Sequence, residues 1–342
     1  MQTSFISTRS MQTAPRLAIA GLQADLARAN REVATGRLAD PGLALGARVS
    51  RGVEVRIEET VTDRLIRSNG LADARLDQTQ RVLADLRSRA NAVLESVTAL
   101  PPSSSAVTVL IAEAGDALAE LVARLNGSDG TNFLFGGITS GVAPVADYDG
   151  APRLAVEAAM TAAFGAVPIP PGTTPAQMDA FLSGDFAAVF DPAGWSAAWS
   201  VASDVPLDTE IERGRIVATS VSANEAPFRE LAMAYTMLAG LGMDGLRSDT
   251  RQVIVDRALA ALGSAIAGVI AIEADVGLVQ QSIERASGRL RDERSLLAIT
   301  LDRLEGRDPV EAKAEIDLIT LQLEMSYALT LRVNQLTILN FA

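Results

Sequence analysis

Apolar residues recur at helical spacing through long stretches of the chain. They follow one another at intervals of three or four residues from Ile19 to Val33, from Leu76 to Val97 and from Val107 to Leu125. The same spacing returns from Ile272 to Leu297. Because it places apolar side chains on one face of a helix that packs on another helix, it predicts long helices that pair as coiled coils.

Glycine and proline residues predict where these helices stop. A first helix is expected from about Pro15 to Gly36, followed by a glycine-rich connector. A second runs from about Val53 to Ala99, ahead of two consecutive prolines, and a third ends at Asn126. Proline removes a helical hydrogen bond and restricts the residue before it, so the prolines separate the second helix from the third.

The helical pattern returns in the last third of the chain. A helix is expected from about Pro227 through Met237, and a long one from about Asp249 to Leu304 with charged residues on its flanks. A turn over residues 306–309 then leads into the final segment. The two helical parts therefore enclose a middle segment of different character.

The final segment is apolar at every second position. The alternating residues are Ile319, Leu321, Leu323, Met325, Tyr327, Leu329, Leu331 and Val333. Alternation alone indicates a half-buried strand, but a strand of about fifteen residues would exceed the usual three to ten. As a helix, the segment is apolar around most of its circumference. We predict a helix that packs against several partners, some of them from other chains, and keep the strand as the alternative.

Aromatic residues are concentrated in the middle segment, where Arg153 is the only basic residue between Gly130 and Asp204. They are Phe133, Phe135, Tyr148, Phe164, Phe181, Phe186, Phe190, Trp195 and Trp199. Frequent proline and glycine residues predict a small loop-rich domain with short strands, a core of its own, and one or two short helices between residues 175 and 190. The two tryptophans could stack on a carbohydrate, but a pair within the core is favoured.

Together these patterns predict a mainly α-helical fold with an α+β insert. The simplest arrangement pairs the two chain ends as an antiparallel rod of long helices in coiled-coil packing, with the loop-rich, β-containing domain at its far end. The predicted segments are an N-terminal assembly helix and loop (1–50), the N-terminal half of a helical core domain (51–130), a variable insert (131–220), the C-terminal half of the core domain (221–306) and a C-terminal assembly helix (307–342).

The composition removes several classes of chemistry. A net charge of −12 argues against nucleic acid or an anionic membrane surface as a partner. The chain has no histidine and no cysteine, which removes the commonest acid–base side chain, thiolate nucleophiles, disulfides and zinc sites of the Cys/His type. We therefore expect no cofactor.

Two further features concern targeting and membranes. The N-terminal stretch lacks the continuous apolar core of a signal peptide, because Arg9 and Arg16 interrupt it. The longest apolar run, Ala258–Ile272, is shorter than a membrane span. We therefore expect neither a cleaved signal peptide nor a transmembrane helix.

An enzymatic alternative rests on carboxylates in the insert. Asp147, Asp149, Asp185 and Asp191 could hold a metal ion for hydrolysis, and residues 147–150 faintly resemble the start of a calcium loop. The later ligand positions of such a loop are occupied by Ala, Pro and Arg, which favours a solvated acidic loop. The glycine-rich connector lacks the Lys-Ser/Thr pair of a phosphate loop, so no nucleotide site and no catalytic residue are predicted.

Several stretches resemble the bacterial flagellin family. One is REVATGRLADPGLALGARV (31–49), in which a helix ends in a Thr-Gly-Arg step before an Asp-Pro loop. Another is LTLRVNQLTILNFA (329–342), with its aliphatic-Leu-Asn-aromatic tail. At the edges of the insert, GTNFLFGGITSGVAP (130–144) and the region from Trp195 to SVSANEAPFREL (220–231) are similar to the hook–filament junction branch of that family.

The resemblance implies a structural role in the extracellular flagellum. It implies a helical core domain, a terminal coiled coil that lines the inner tube, and an outer variable domain. The implied partners are copies of the chain itself, a neighbouring hook-associated protein, filament flagellin and an export chaperone on the C-terminal helix. Unfolded export through the flagellar type III apparatus, without a cleaved signal peptide, is implied as well. The Asp-Pro loop is shorter than in filament flagellins and the tail ends in a small residue, so the junction protein is favoured and filament flagellin stays open as the alternative.

Weakly charged terminal helices lead to a hypothesis of self-assembly. Their apolar surface would be an aggregation liability in a monomer, but copies that stack through heterologous contacts would bury it. The predicted assembly interface consists of Ile19, Leu22, Leu26, Val33, Leu321, Leu323, Leu329, Val333, Leu336 and Leu339. A carboxylate-dependent hydrolase and a cytoplasmic coiled-coil adaptor are the alternatives.

Overall fold

The computed structural model of the protein describes residues 8–99 and 104–339, with side chains from 13 to 99 and from 107 to 332. Within these ranges the chain is mainly α-helical and contains one two-stranded antiparallel sheet. The predicted class, mainly α with a small β part in the insert, is confirmed.

Eleven α-helices and two strands make up the described part of the chain, with short 3-10 turns over residues 46–48 and 243–245. The elements are α1 (Thr8–Thr35), α2 (Pro41–Leu45), α3 (Val49–Ala99), α4 (Ser104–Leu125), α5 (Ala151–Phe164), α6 (Pro175–Ser183), α7 (Asp185–Phe190), α8 (Pro192–Ala198), β1 (Asp208–Glu212), β2 (Arg215–Ala218), α9 (Ala226–Gly240), α10 (Ser248–Glu305) and α11 (Pro309–Leu339).

The chain forms two compact units. The first, which we call the terminal unit, comprises residues up to 64 and from 291 onward, and the second, the central unit, comprises residues 65–290. The long helices α3 and α10 contribute to both units. The finer division into five segments stays a prediction.

The helical seams predicted in the central unit are buried. On α3 the buried positions are Leu76, Thr79, Leu83, Leu86, Ala90, Val93 and Val97. On α4 they are Val107, Leu110, Ala114, Leu118, Leu121 and Leu125. Their spacing of three or four residues gives each helix one apolar face, and these faces meet α9 and α10 in a single core. The prediction from periodicity is therefore confirmed for these helices.

The final segment is a helix and not a strand. Helix α11 runs from Pro309 to Leu339 and includes all the alternating apolar positions. The strand alternative is wrong because length outweighs alternation here: a helix satisfies its own backbone hydrogen bonds over thirty residues, whereas a strand of this length would need an equally long partner.

The insert differs from the prediction in two respects. It is more helical than expected, because α5 and α8 accompany the two expected helices α6 and α7, and its sheet is a single hairpin in which Asp208 pairs with Ala218. It also has no separate core. Its buried side chains join those of α3, α4, α9 and α10 in one continuous cluster, so the prediction of a core of its own is wrong. Four helices of six to fourteen residues are too short to enclose a core alone.

A chain of aromatic rings links the insert to that core. Phe164, Phe181, Phe186, Phe190 and Trp199 follow one another with ring centroids 5.0 to 5.6 Å apart. Trp195 stacks on Trp199 at 5.0 Å with an angle of 9° between the ring planes. Both indoles are 1% exposed, so the core interpretation of this pair is confirmed, since a carbohydrate could not reach them.

Helix α10 contains the most apolar window among the described helices. By length and composition alone, 18 residues of this helix are apolar enough to cross a membrane, and 28% of that window is buried within the protein. The helix places Ala258, Leu262, Ala265 and Val269 in the core of the central unit. These positions follow the spacing expected of a core helix.

Candidate assembly surface

Helices α1 and α11 pack against each other in the terminal unit. Their shared apolar seam is formed by Ile19, Leu22, Leu26 and Ala29 of α1 and by Ile316, Ile319 and Leu323 of α11. Ala29, Ile319 and Leu323 are buried, and the other four are partly buried. At its edge the Gln23 amide donates a hydrogen bond to the Tyr327 hydroxyl at 3.0 Å. The helix pair is thus held by a narrow seam with a polar edge.

A second apolar face of α11 lies on the side away from this seam. It consists of Leu318, Leu321, Met325 and Leu329, which are 52% to 62% exposed. Their spacing of three or four residues lines them up along the helix, and the turn of 100° per residue separates this row from the seam by more than a third of the circumference. Four large apolar side chains in one exposed row form a candidate surface for contact with another molecule. We call this row the outer face of α11.

The ten residues predicted for the assembly interface fall into three groups. Ile19, Leu22, Leu26 and Leu323 lie together in the seam within one chain. Val33, Leu321 and Leu329 are exposed. Val333, Leu336 and Leu339 lie outside the residues whose side chains are described. The assignment of all ten to contacts between copies stays a prediction.

The end of α1 is tied to the turn between α10 and α11. Helix α1 ends at Thr35 and is followed by Gly36, whose φ of 65° is a left-handed conformation that favours glycine. The Gly36 carbonyl accepts a hydrogen bond from the Arg307 amide at 3.0 Å, and the Leu38 amide donates to the Glu305 carbonyl at 2.8 Å. The Thr-Gly-Arg step (35–37) therefore lies against the turn between α10 and α11, and backbone hydrogen bonds join the two.

Glu305, the last residue of α10, is buried at 2% exposure. Its carboxylate pairs with the guanidinium of Arg56 on α3. The other carboxylate oxygen lies over Gly52, where an added Cβ would come within 2.9 Å of it. Because glycine has no Cβ, position 52 leaves space for the buried Glu305 carboxylate beside α3. This space is kept although glycine weakens a helix.

Arg307 makes a second set of polar contacts on the same turn. Its guanidinium lies 3.5 Å from the carboxylate of Glu32, which is 7% exposed, and also pairs with Glu315 of α11. Glu32 in turn accepts a hydrogen bond from the Ala39 amide at 3.1 Å. We call Glu32, Gly52, Arg56, Glu305 and Arg307 the clasp. Through it, charged side chains connect α1, the connector, α3, α10 and α11.

Sequence reasoning missed the clasp. Its acidic and basic residues resemble the many other charges on helix surfaces, and pairs separated by 249 or 275 positions have no local signature. Gly52 gave no signal either, because the predicted helix began one residue later; the structure places this glycine inside α3.

The carboxylates considered for metal binding have separate structural roles. Asp191 caps α8 by accepting a hydrogen bond from the Gly194 amide at 2.7 Å, and Asp149 pairs with Arg153 at 3.5 Å. Asp147 and Asp149 border a cavity of about 530 Å³ beside α4. Asp185 lies in the first turn of α7, where a carboxylate complements the helix dipole. Among the described residues, no three acidic side chains come together in a group that could hold a metal ion.

The sequence of the C-terminal part matches a known family. Residues 259–342 match the family model of the bacterial flagellin C-terminal helical region. They include all of α11 and the part of α10 that carries Glu305. The resemblance to the flagellin family predicted from the sequence is therefore confirmed in this region.

The particular fold is the one seen in FlgL. The crystal structure of FlgL from Bacillus cereus superimposes with a TM-score of 0.50 at 10% sequence identity, over 73% of this chain and 99% of that chain. A flagellar hook-associated protein from Vibrio parahaemolyticus gives a TM-score of 0.45 at 11% identity, over 76% of this chain and 96% of that chain. No curated protein matches the sequence.

Proposed function

We propose that the protein is a structural subunit of the bacterial flagellum that assembles through α1 and α11, and that it is the hook–filament junction protein (hook-associated protein 3). The observation that carries the proposal is the outer face of α11, which lies within a flagellin-type C-terminal helical region and exposes four large apolar side chains. These side chains supply burial and no chemistry.

Burial between copies contributes part of the free energy of assembly. An apolar side chain of this size contributes about 1.5–3 kcal/mol when it goes from fully exposed to fully buried, and these four are only 52% to 62% exposed in one copy. The outer face therefore offsets part of the free energy lost when a subunit becomes fixed in an assembly, about 4–15 kcal/mol, and further contacts must supply the rest. Contacts that join one face to a different face of the next copy build rings or helical arrays, so copies of the chain are the first partner we propose.

The junction role rests on the fold, and a filament role on the family description. The FlgL fold favours a short band of subunits between hook and filament, with a neighbouring hook-associated protein and filament flagellin as partners. A flagellin-type C-terminal region would suit a filament subunit equally. Immunogold electron microscopy of sheared flagella separates the two. Label in a narrow band next to the hook supports the junction role, and label along the whole length supports filament flagellin.

The outer face also favours a chaperone before assembly. A helix with apolar residues on two sides is prone to aggregate until it is covered, so we propose that an export chaperone binds α11 in the cell. We further propose that the chain leaves the cell through the flagellar type III apparatus without cleavage of a signal peptide. Mass spectrometry of the protein recovered from flagella, with an intact Met1 or Gln2 at its N-terminus, is the result expected; a start further along the chain argues for cleavage.

Deletion of residues 310–342 tests the role of α11. We expect a folded, soluble monomer, because the core of the central unit uses residues 72–286 and none from α11. The truncated chain should not polymerise or join a hook, since the outer face is gone. Circular dichroism and light scattering measure folding and size, and complementation of motility measures function. A truncated protein that still assembles would refute the proposed role.

A further inference from the structure

The seam between α1 and α11 is small for the length of the two helices. Helices of 28 and 31 residues share a seam in which three of the described side chains are fully buried and four are partly buried. Ordering each residue of a chain has an entropic cost, and helices in water owe most of their stability to packing. Contacts outside the described seam can therefore add to the order of this pair.

The clasp lies where it can supply that order. Glu305 contacts two segments at once: its carbonyl accepts from the connector after α1, and its carboxylate accepts from Arg56 of α3. Two residues later, Arg307 pairs with Glu32 near the end of α1 and with Glu315 in the second turn of α11. The C-terminal end of α1 and the N-terminal end of α11 are thus joined to the same small set of contacts.

We infer that the clasp positions the outer face of α11, with Gly52 and Glu305 as positioning residues whose contacts order α1 and α11 together. The inference rests on the proposed function, since the surface being positioned is the proposed assembly surface. If the clasp opens, both helices lose their anchor at once. Each should then behave as a frayed chain end, and the outer face should no longer be presented as a row.

Because the Glu305 carboxylate is buried, the clasp is sensitive to any change in the space around it. The Glu305 side chain is 3% exposed, so it depends on Arg56 for compensation of its charge. An alanine Cβ at position 52 would lie 2.9 Å from its carboxylate oxygen, which is the end of a flexible side chain and could shift slightly to relieve the contact. A branched side chain would fill the site of the carboxylate itself, so Gly52→Val is the substitution that opens the clasp.

The same helix offers a matched control. Gly70 is also an interior residue of α3, but an added Cβ would meet no atom within 4 Å. Gly70→Val therefore introduces the same side chain at an exposed site of α3 where its Cβ meets no neighbour. A general effect of replacing glycine in α3 would appear in both variants, whereas opening of the clasp would appear in Gly52→Val alone.

Hydrogen exchange of the full-length free protein, followed by mass spectrometry of its peptides, tests the inference. In Gly52→Val we expect exchange to rise by about tenfold or more in peptides of both α1 (13–35) and α11 (309–332), and to stay unchanged in α4 and α9. Gly70→Val should leave the exchange of α1 and α11 as in the parent protein. Unchanged exchange in Gly52→Val, faster exchange in only one of the two helices, or an equal effect of Gly70→Val overturns the inference.

Two further variants protect the test against trivial unfolding. Glu305→Ala removes the carboxylate, and Arg56→Gln keeps a donor while removing the charge; both should raise exchange in α1 and α11, with the smaller rise for Arg56→Gln. Loss of protection in α4 and α9 as well would mean general unfolding, and would count against a local role. The exchange measurement needs no assembly, so a parent protein that failed to assemble would overturn the proposed function and leave the clasp to be judged by exchange alone.

Discussion

At the scale of single residues, one close helix contact in the central unit involves Gly268 of α10. A Cβ at this position would lie 2.4 Å from Cγ of Pro227, at the start of α9. Real side chains do not approach so closely, and the proline ring is rigid. The glycine therefore sets the distance at which α9 packs on α10.

Replacement of Gly268 by alanine should destabilise the protein. Overpacking of a tight contact costs about 1–3 kcal/mol, because α9 must shift away from α10. Gly263→Ala is the control, since this glycine lies on the same helix and an added Cβ would meet nothing within 4 Å; it should gain up to about 1 kcal/mol from helix propensity. Denaturant unfolding of both variants measures the difference, and equal free energies of unfolding would show that α9 adjusts freely.

A second residue-scale feature is the pair of Glu212 on β1 and Arg289 on α10. The hydrogen bond from the Arg289 guanidinium holds the pKa of Glu212 below its ordinary value, and the charges of Arg289 and Arg215 lower it further. Because the folded pKa is depressed, this pair stabilises the fold above the unfolded pKa of about 4.3. That stability is lost as the pH falls through the folded pKa.

Arg289→Gln should return the pKa of Glu212 toward its ordinary value. The difference in stability between the parent protein and the variant should be present at neutral pH and should shrink as the solution is acidified below the unfolded pKa. Nuclear magnetic resonance titration of the Glu212 carboxyl group measures the pKa, and urea unfolding at several pH values measures stability. Arg303→Gln, at an exposed arginine in the last turn of α10, should leave the Glu212 titration unchanged. An unchanged titration in Arg289→Gln would contradict the pairing.

At the scale of elements, α11 is unusual because it carries two apolar faces with different tasks. One face packs on α1 within the chain, and the other is the exposed outer face. Substitutions on the two faces should therefore have different consequences, one for the stability of the helix pair and the other for assembly.

Leu321→Asp combined with Leu329→Asp should abolish assembly and leave the monomer intact. Both side chains are more than half exposed, and exposed substitutions usually change the free energy of unfolding by about 0.5 kcal/mol or less. Sedimentation of the free protein and its incorporation into flagella measure the two effects. Thr320→Asp places one carboxylate at an exposed site of α11 away from the outer face and serves as the control for each single substitution, Leu321→Asp and Leu329→Asp. Normal incorporation of the double variant would remove the outer face from the proposed interface.

The long helices were predictable because their periodicity extends over many turns. The predicted bounds of the second helix, Val53–Ala99, differ from those of α3 only at its start, and α10 matches its prediction within a residue at each end. The shorter helices of the insert were partly missed. Helix α8 has seven residues that begin with proline and include a glycine, and so short a segment shows no period. Its cap by Asp191 could have been recognised as an N-terminal signal.

The apolar character of the candidate surface could be predicted from the sequence, but the orientation of its side chains could not. The alternation along α11 indicated a helix with apolar residues all round, but it could not show which residues face α1. The shared core of the insert was missed for a related reason, since aromatic clustering predicts burial without naming the partner. The clasp could be recognised only from the structure, because Glu32 and Arg307 lie far apart in the sequence and come together only in the folded chain.

At the scale of the whole molecule, charge opposes association. The chain carries 42 acidic and 30 basic residues, and between Gly130 and Asp204 it has seven acidic residues and one basic residue. Like charges on neighbouring copies repel, and salt shortens the range of that repulsion from about 10 Å at 0.1 M to about 3 Å at 1 M. Assembly should therefore depend on ionic strength.

Self-association should strengthen when sodium chloride is raised from about 0.05 to about 0.5 M, because screening reduces repulsion between acidic copies. Light scattering over a range of protein concentrations gives the concentration of half-association at each salt level. The Leu321→Asp, Leu329→Asp variant should stay monomeric throughout and shows that salt acts on the same contact. Weaker association at high salt would mean that ion pairs between copies outweigh the repulsion.

The positions of the two stacked tryptophans determine what intrinsic fluorescence can measure in this protein. Trp195 and Trp199 are the chain's two tryptophans, and both lie deep in the central unit. Tryptophan fluorescence will therefore report unfolding of the central unit. It will not change when α1 and α11 fray or become covered. An optical probe of polymerisation must be introduced; since the chain lacks cysteine, a single thiol placed at Thr320 could carry a dye without competition from any other site.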